Sequence, residues 1–404
     1  MRPPHPPAAL PRGFRFAATA CGLKKTGALD LGMLVSDMPA SAAAVFTTNR
    51  VQAAPVLLCR EHLRASKGRM RALVVNSGNA NCATGAEGTG ASRATAARAA
   101  GALRCAPEQV FVCSTGVIGV PLPVEKILRA MPRVTRAGRG STRSFTEFAH
   151  AILTTDTRPK WAAANCRIGG KSVRIAGCAK GAGMIHPQMA TMLAFISTDA
   201  AIAPGLLQRT LTAAAKQTFN AISVDGDTST NDTAIVLANG AASARRIQAG
   251  TAGHRAFAAA LEKVCRSLAL QIVADGEGAQ RVIEIEVRGA SSESAARRVA
   301  ATIATSPLVK TAFAGGDPNW GRILAAAGRS GVAFDPDRAV IEMACMPVYR
   351  EGRALPFDER AAHRRLLADS VPILVDLQQG AAAARAWTCD FTAEYVRINA
   401  SYRT

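Results

Sequence analysis

Between Lys180 and Ala200 the chain reads KGAGMIHPQMATMLAFISTDA, a glycine-loosened turn that passes through Met189 and Ala190 into Thr191 and on into an apolar run. If the bond between Ala190 and Thr191 is cut, Thr191 becomes a new amino terminus. A threonine hydroxyl has almost no nucleophilic strength at neutral pH. A free α-amine beside it, with a pKa of roughly 7.7 to 8, is a base already covalently attached. Thr191 then supplies both nucleophile and base, which is chemistry for acyl transfer. An isolated Ala–Thr step is ordinarily a β-branched residue entering a strand, so the rest of the chain has to decide.

Other nucleophile settings are missing. None of the six histidines (His5, His62, His150, His186, His254, His363) lies in an HExxH or GxSxG context, which leaves a serine–histidine hydrolase unsupported. An amino-terminal threonine needs no histidine, and His186 reads as a neighbour of the nucleophile. Two segments approach phosphate loops and fail. KGAGMIH has His186 where GxGxxG needs its third glycine, and NCRIGGKS has Asn165 at the first glycine of GxxxxGKS. The ten cysteines are spread singly, with no CxxC pair and no Cys/His cluster at metal spacing, so they read as reduced thiols and no metal is expected.

The elements that must hold these residues are short β-rich runs at 72–75, 109–113, 233–238 and 282–287, alternating with amphipathic helices. The clearest helix lies within 255–273, where Phe257, Leu261, Val264, Cys265, Leu268 and Ile272 recur at helical spacing. STGVIG follows QVFVC directly and reads as a glycine-bearing turn at a strand end; residues 136–144 read as a basic Gly/Ser loop and 1–12 as a loose tail. The mixture is α/β, but its topology does not follow from the pattern. A chain of 404 residues that is 49% hydrophobic and 19% charged fits a globular enzyme of one large or two ordinary domains. The net charge of +20 would suit an acidic partner, yet its arginines are scattered among alanines and only 5% of residues are aromatic, which argues against nucleic acid. The proline-rich start makes a poor signal peptide, and no run is apolar for the length of a membrane helix, so a cytoplasmic protein is expected.

Ordered blocks along the whole chain carry a more specific signal: GFRFAATACGLKKTGALDLGML, FTTNRVQAAPV at 46–56, NSGNANCATG at 76–85, STGVIG at 114–119 and TTDTRPK at 154–160. After KGAGM and MATMLAF come SVDGDTSTNDT at 223–233, DGEGA at 275–279, AFAGGDPNWGR at 312–322 and YVRINASYRT at the carboxyl end. In this order they resemble the ornithine acetyltransferase family, the bifunctional glutamate N-acetyltransferases of arginine biosynthesis. The resemblance implies a layered α/β sandwich of the self-processing ornithine acetyltransferase and L-aminopeptidase/D-esterase type. It implies cleavage between Ala190 and Thr191 into an α chain (1–190) and a β chain (191–404) that stay together, as an α2β2 heterotetramer. It implies that Thr191 carries acetyl from N2-acetylornithine to glutamate, with Thr115 and Gly116 as the oxyanion hole. Its substrate-binding positions fall on Thr154, Lys180, Thr191, Glu277, Asn399 and Thr404. An acetylated amino acid brings a carboxylate and ornithine an ammonium, for which Lys180 offers the cation and Glu277 the anion. Asn399 and Thr404 require the carboxyl tail to fold back over the site. No cofactor is implied, and because no CoA-binding signature is legible, acetyl-CoA as a second donor is left open. Gln188, Arg329 and the basic charge depart from the commoner pattern and leave substrate preference open. The alternatives are a self-processing amidase or aminopeptidase, a specialised acetyltransferase paralogue on the same fold, or a basic binding protein without chemistry.

Overall fold

The apolar, β-branched runs become strands. A computed structural model describes residues 5–186 and 192–401, so Ala190, Thr191 and Thr404 lie outside the described residues. In chain order the strands are β1 (Phe14–Thr19), β2 (Leu31–Phe46), β3 (Arg69–Asn79), β4 (Val110–Val117), β5 (Lys160–Ile168), β6 (Lys171–Lys180), β7 (Leu193–Thr198), β8 (Ile222–Ser223) and β9 (Thr233–Ala238). They continue with β10 (Val282–Ala290), β11 (Val340–Met343), β12 (Met346–Arg350), β13 (Arg353–Ala354), β14 (Ser370–Asp376) and β15 (Ala382–Cys389). Two sheets result. The first runs β4-β3-β2-β9-β7-β6-β5, with β1 also paired to β2, and the second runs β13-β12-β11-β14-β10-β15-β8. The layered α/β expectation is met, with a topology that mixes parallel pairs such as β3–β4 and β7–β9 with antiparallel ones such as β5–β6 and β6–β7.

Residue pattern explains which faces are covered. β7 (LAFIST) and β9 (TAIVLA) are buried at every position, as a sheet layered on both faces requires. β10 instead alternates: Ile283, Ile285 and Val287 enter the second sheet's core, while Glu286 points outward to Arg385 and Arg288. The helix Ala252–Ala274 lies against β5 and β6 and buries the six-residue stripe read from the sequence. Thr251 caps its start by accepting the His254 N–H at 3.2 Å, and its end at Asp275 opens into the DGEGA turn. Among the described residues no helix is long and apolar enough to cross a membrane.

Three local readings change. Residues 136–144 are mostly not loop: the helix Val124–Ala137 is followed by Thr142–Ala151, which Ser141 caps through the Ser144 N–H, so only 138–141 connect them. The described part of 1–12 is packed rather than loose, with Leu10 in the core and the Pro7 carbonyl accepting from Thr142. The GGKS stretch is the tight turn of the β5–β6 hairpin, Gly169 and Gly170 both having positive φ (56° and 80°), which is a hairpin device and no phosphate loop.

Candidate active site

Thr115 and Gly116 lie inside β4, not on a turn after it. Sequence logic reads a glycine as a chain reversal, but here the strand continues to Val117 and Gly116 is needed because β3 comes too close for a side chain. A Cβ on Gly116 would stand 2.4 Å from the Gly78 carbonyl carbon and 2.5 Å from the Asn79 nitrogen, and its φ of +133° is one few side chains adopt. Asn231 ties the strand end to its surroundings, donating to the carbonyls of Ser114 (2.9 Å) and Ala80 (2.7 Å).

Lys180 ends β6 and is fully enclosed, its Nζ donating to Thr115 Oγ1 at 3.2 Å. With a lone pair so engaged, the Thr115 hydroxyl is free to turn its own proton to a third group. Lys180 is also the register partner of Leu193 across the β6–β7 pair. The connection between these two antiparallel strands carries the Ala190–Thr191 bond, and its far side is fixed at Met192: the Met192 N–H donates to Asp232 Oδ1 at 3.0 Å and its carbonyl accepts from Thr233 at 3.0 Å. Asp232 Oδ2 lacks a hydrogen-bond partner of good geometry among the described residues. Burial pushes the Asp232 carboxyl well above the ordinary carboxylate range, against the pull of the Met192 N–H, Ser229 and Lys180. Burial likewise lowers the Lys180 ammonium, opposed by Asp156, Asp232 and Glu277. Lys180 thus sits within the field of Asp232, just before β9, and of Glu277 on a distant turn.

The near side of the connection is held as tightly. Asp156 Oδ1 accepts the Gly181 N–H at 2.6 Å and Lys160 Nζ at 2.6 Å, and Oδ2 accepts the Thr154 N–H at 3.1 Å. Burial would raise this carboxyl, but Lys160, Lys180 and the Gly181 N–H outweigh it and bring it down to about 2. Lys160 is fully buried and also donates to Asp275 Oδ2 at 2.6 Å, which couples the Thr154 loop to the turn bearing Glu277. The Glu277 N–H donates to the Ala182 carbonyl at 2.9 Å. Gly183 has no side chain because the Glu277 carboxylate lies over it, 2.6 Å from where a Cβ would be. Asp225 accepts the N–H groups of Met184 (2.6 Å) and Ile185 (2.9 Å). His186 lies 3.4 Å from the Ser223 hydroxyl through Nδ1, and burial lowers its pKa.

The carboxyl tail does fold back, as the helix Ala393–Ser401. Asn399 Nδ2 donates to Glu277 Oε2 at 2.9 Å, and the Tyr395 hydroxyl reaches Asp225 Oδ2 at 3.4 Å. Gly278 permits this docking, since a Cβ there would meet the Tyr395 nitrogen at 2.5 Å. Thr115 with Lys180, the Thr154 loop, and Glu277 with Asn399 are therefore brought to one region. Sequence reasoning passed over Asp156, Lys160, Asp225, Asp232 and Asp275; their blocks TTDTRPK, SVDGDTSTNDT and DGEGA were visible, but no spacing rule marks a buried carboxylate.

Comparison with known proteins follows the same line. The model of the ArgJ family matches residues 15–404. An arginine biosynthesis bifunctional protein ArgJ of Thermus thermophilus is 50% identical over 395 residues, covering 98% of this chain and 99% of its own. That of Thermosynechococcus vestitus is 48% identical over 411 residues, covering 97% of each. A solved chain of the Bacillus halodurans protein of that name is 44% identical with a TM-score of 0.52, and all of it aligns to 52% of this chain. Identity at this level over nearly the full length establishes that the chain belongs to the ArgJ family.

Proposed function

We propose that the chain cuts itself between Ala190 and Thr191 and then transfers acetyl from N2-acetyl-L-ornithine to L-glutamate, giving ornithine and N-acetylglutamate for arginine biosynthesis. In the first event the Thr191 hydroxyl attacks the Ala190 carbonyl and the Ala190–Thr191 amide becomes an ester on Thr191 Oγ, freeing the α-amine. Water then hydrolyses that ester, leaving an α chain of 190 residues and a β chain of 404 − 190 = 214 residues. In transfer, Thr191 Oγ attacks the acetyl carbonyl while its α-amine takes the hydroxyl proton and passes it to the departing ornithine nitrogen. Glutamate's amine then attacks the acetyl ester, and the threonine hydroxyl is restored.

The observation that carries this reading is the Lys180–Thr115 bond at a strand end whose register partner, Leu193, is two residues from Thr191. The bond supports the reading that a hydroxyl donor, made available by a buried cation, serves the nucleophile carried on the connection that follows Lys180. Thr115 and the Gly116 amide would stabilise the oxyanion. Glu277 with Asn399 would receive the ornithine ammonium, and Thr154, Lys180 and Thr404 would complete substrate binding. The solved relative's chain, aligned in full to 52% of this one, supports a division near the middle. An α2β2 assembly in the cytoplasm, without cofactor, is part of the proposal. Purified protein given acetylornithine and glutamate should form acetylglutamate, and a parallel reaction with acetyl-CoA decides whether that donor is also used. Full-rate consumption of acetylornithine without glutamate would instead mark a hydrolase.

A further inference from the structure

The two substrates of the proposed transfer carry side chains of opposite sign, ornithine an ammonium and glutamate a carboxylate, and both enter one site. Glu277 suits the first and repels the second. The acceptor's side-chain carboxylate needs a cation of its own, because Lys180 is enclosed, already donates to Thr115 and is assigned to the part of the substrate that donor and acceptor share.

Lys24 meets the requirement. It lies in the CGLKKTGALD loop that leads into β2, and this loop packs on β3 beside the oxyanion strand: a Cβ on Gly78, the register partner of Gly116, would meet the Leu23 carbonyl and Lys24 Cγ at 3.5 Å. The loop is a built one. Asp30, fully buried, accepts the N–H groups of Cys21 (2.6 Å), Leu23 (2.6 Å) and Lys24 (3.0 Å), which fixes the backbone that carries the lysine. The ammonium donates to the Leu29 carbonyl at 2.9 Å and enters no ion pair among the described residues, so two of its three hydrogens are available. Half-burial lowers its pKa, Asp30 and then Asp156 pull it back up, and Lys180 lowers it, so its charge lies within the field of the site's own as well as that of the loop's aspartate.

We infer that Lys24 is a specificity-determining residue that receives the side-chain carboxylate of the acceptor amino acid. Thr191 is charged by a donor whose side chain goes to Glu277, and it is discharged by an acceptor whose side chain goes to Lys24. The site thereby accommodates two opposite charges without rearranging.

The inference rests on the acetyl-transfer reading, and one experiment separates the two. Wild-type, Lys24→Met and Lys24→Arg proteins are mixed with acetylornithine, and the released ornithine reports charging. Each is then mixed with glutamate or with glutamine, and loss of the acetyl group is followed by mass. Removing the cation should slow discharge by glutamate about 10- to 100-fold, the range for a hydrogen bond to a charged group. Discharge by glutamine and charging by acetylornithine should stay within about twofold, and Lys24→Arg should recover most of the glutamate rate. Equal losses with glutamate and glutamine, no loss with either, or a matching loss in charging would each overturn the assignment. A wild-type protein that takes no acetyl from acetylornithine would overturn the transfer reading itself.

Discussion

Replacing Thr115 by valine keeps the volume and β-branching of a residue that is only 6% exposed, and removes one oxygen. One effect follows from the geometry and a second from the proposed oxyanion role. Lys180 Nζ loses the acceptor 3.2 Å away and cannot replace it with water in so closed a place, at a stability cost of about 1 to 3 kcal/mol for an unsatisfied buried donor. The developing oxyanion loses a hydroxyl donor while the Gly116 amide remains, which costs about 2.7 to 4 kcal/mol of transition-state stabilisation, or roughly 100- to 1,000-fold in kcat. Steady-state kinetics with acetylornithine and glutamate should show that drop in kcat with KM little changed, and Thr115→Ser should retain most of the rate. Self-cleavage, followed by intact mass, should slow as well if the same donor also serves that step. A Thr115→Val protein with intact kcat and raised KM would make Thr115 a substrate contact and refute the oxyanion assignment.

Gly183→Ala adds a methyl that only the movable end of Glu277 can avoid, so stability should hold while KM for acetylornithine rises about tenfold, equivalent to about 1.4 kcal/mol of lost binding. An unchanged KM would remove Glu277 from ornithine binding. Asp156 is held at about 2 from an ordinary 3.8, so the stability it confers is present above the ordinary value and is lost as pH falls from about 4 towards 2. Asp156→Asn should therefore cost about 3 kcal/mol near pH 6, as breaking a buried pair does, and the gap to wild type in thermal melts should close at the acid end; a gap that stays constant with pH would mean the carboxylate charge is not what stabilises the site.

Much of the site was legible because its chemistry is local. The glycines around Lys180 and the Glu277 turn show within a few residues, whereas Thr191 is singled out only by the ordered blocks along the whole chain and lies outside the described residues. What was not legible depends on distant partners. Gly116 looked like a turn because the approach of Gly78 and Asn79 on the neighbouring strand cannot be seen in STGVIG. Lys160 would be expected in solvent like most lysines, yet it is buried between Asp156 and Asp275, the latter 115 residues away. Asn399 sits in a terminal segment of a kind that commonly frays, and only the fold reveals Glu277 and Gly278 beneath it. The sheets were half legible: β3, β4, β9 and β10 follow from hydrophobic runs, whereas the order β2-β9-β7-β6 is a product of long-range pairing.

Thr191 is proposed to be released by self-cleavage and then to carry the acetyl group. Intact-mass analysis of protein incubated with acetylornithine alone tests both halves at once. Two chains divided between Ala190 and Thr191 are expected, with one acetyl group added to the β chain, mapped to Thr191 and discharged by glutamate, together with an uncut, inactive Thr191→Ala protein. A single full-length chain, or a cleaved protein that turns over acetylornithine and glutamate without ever bearing acetyl on Thr191, would contradict this proposal.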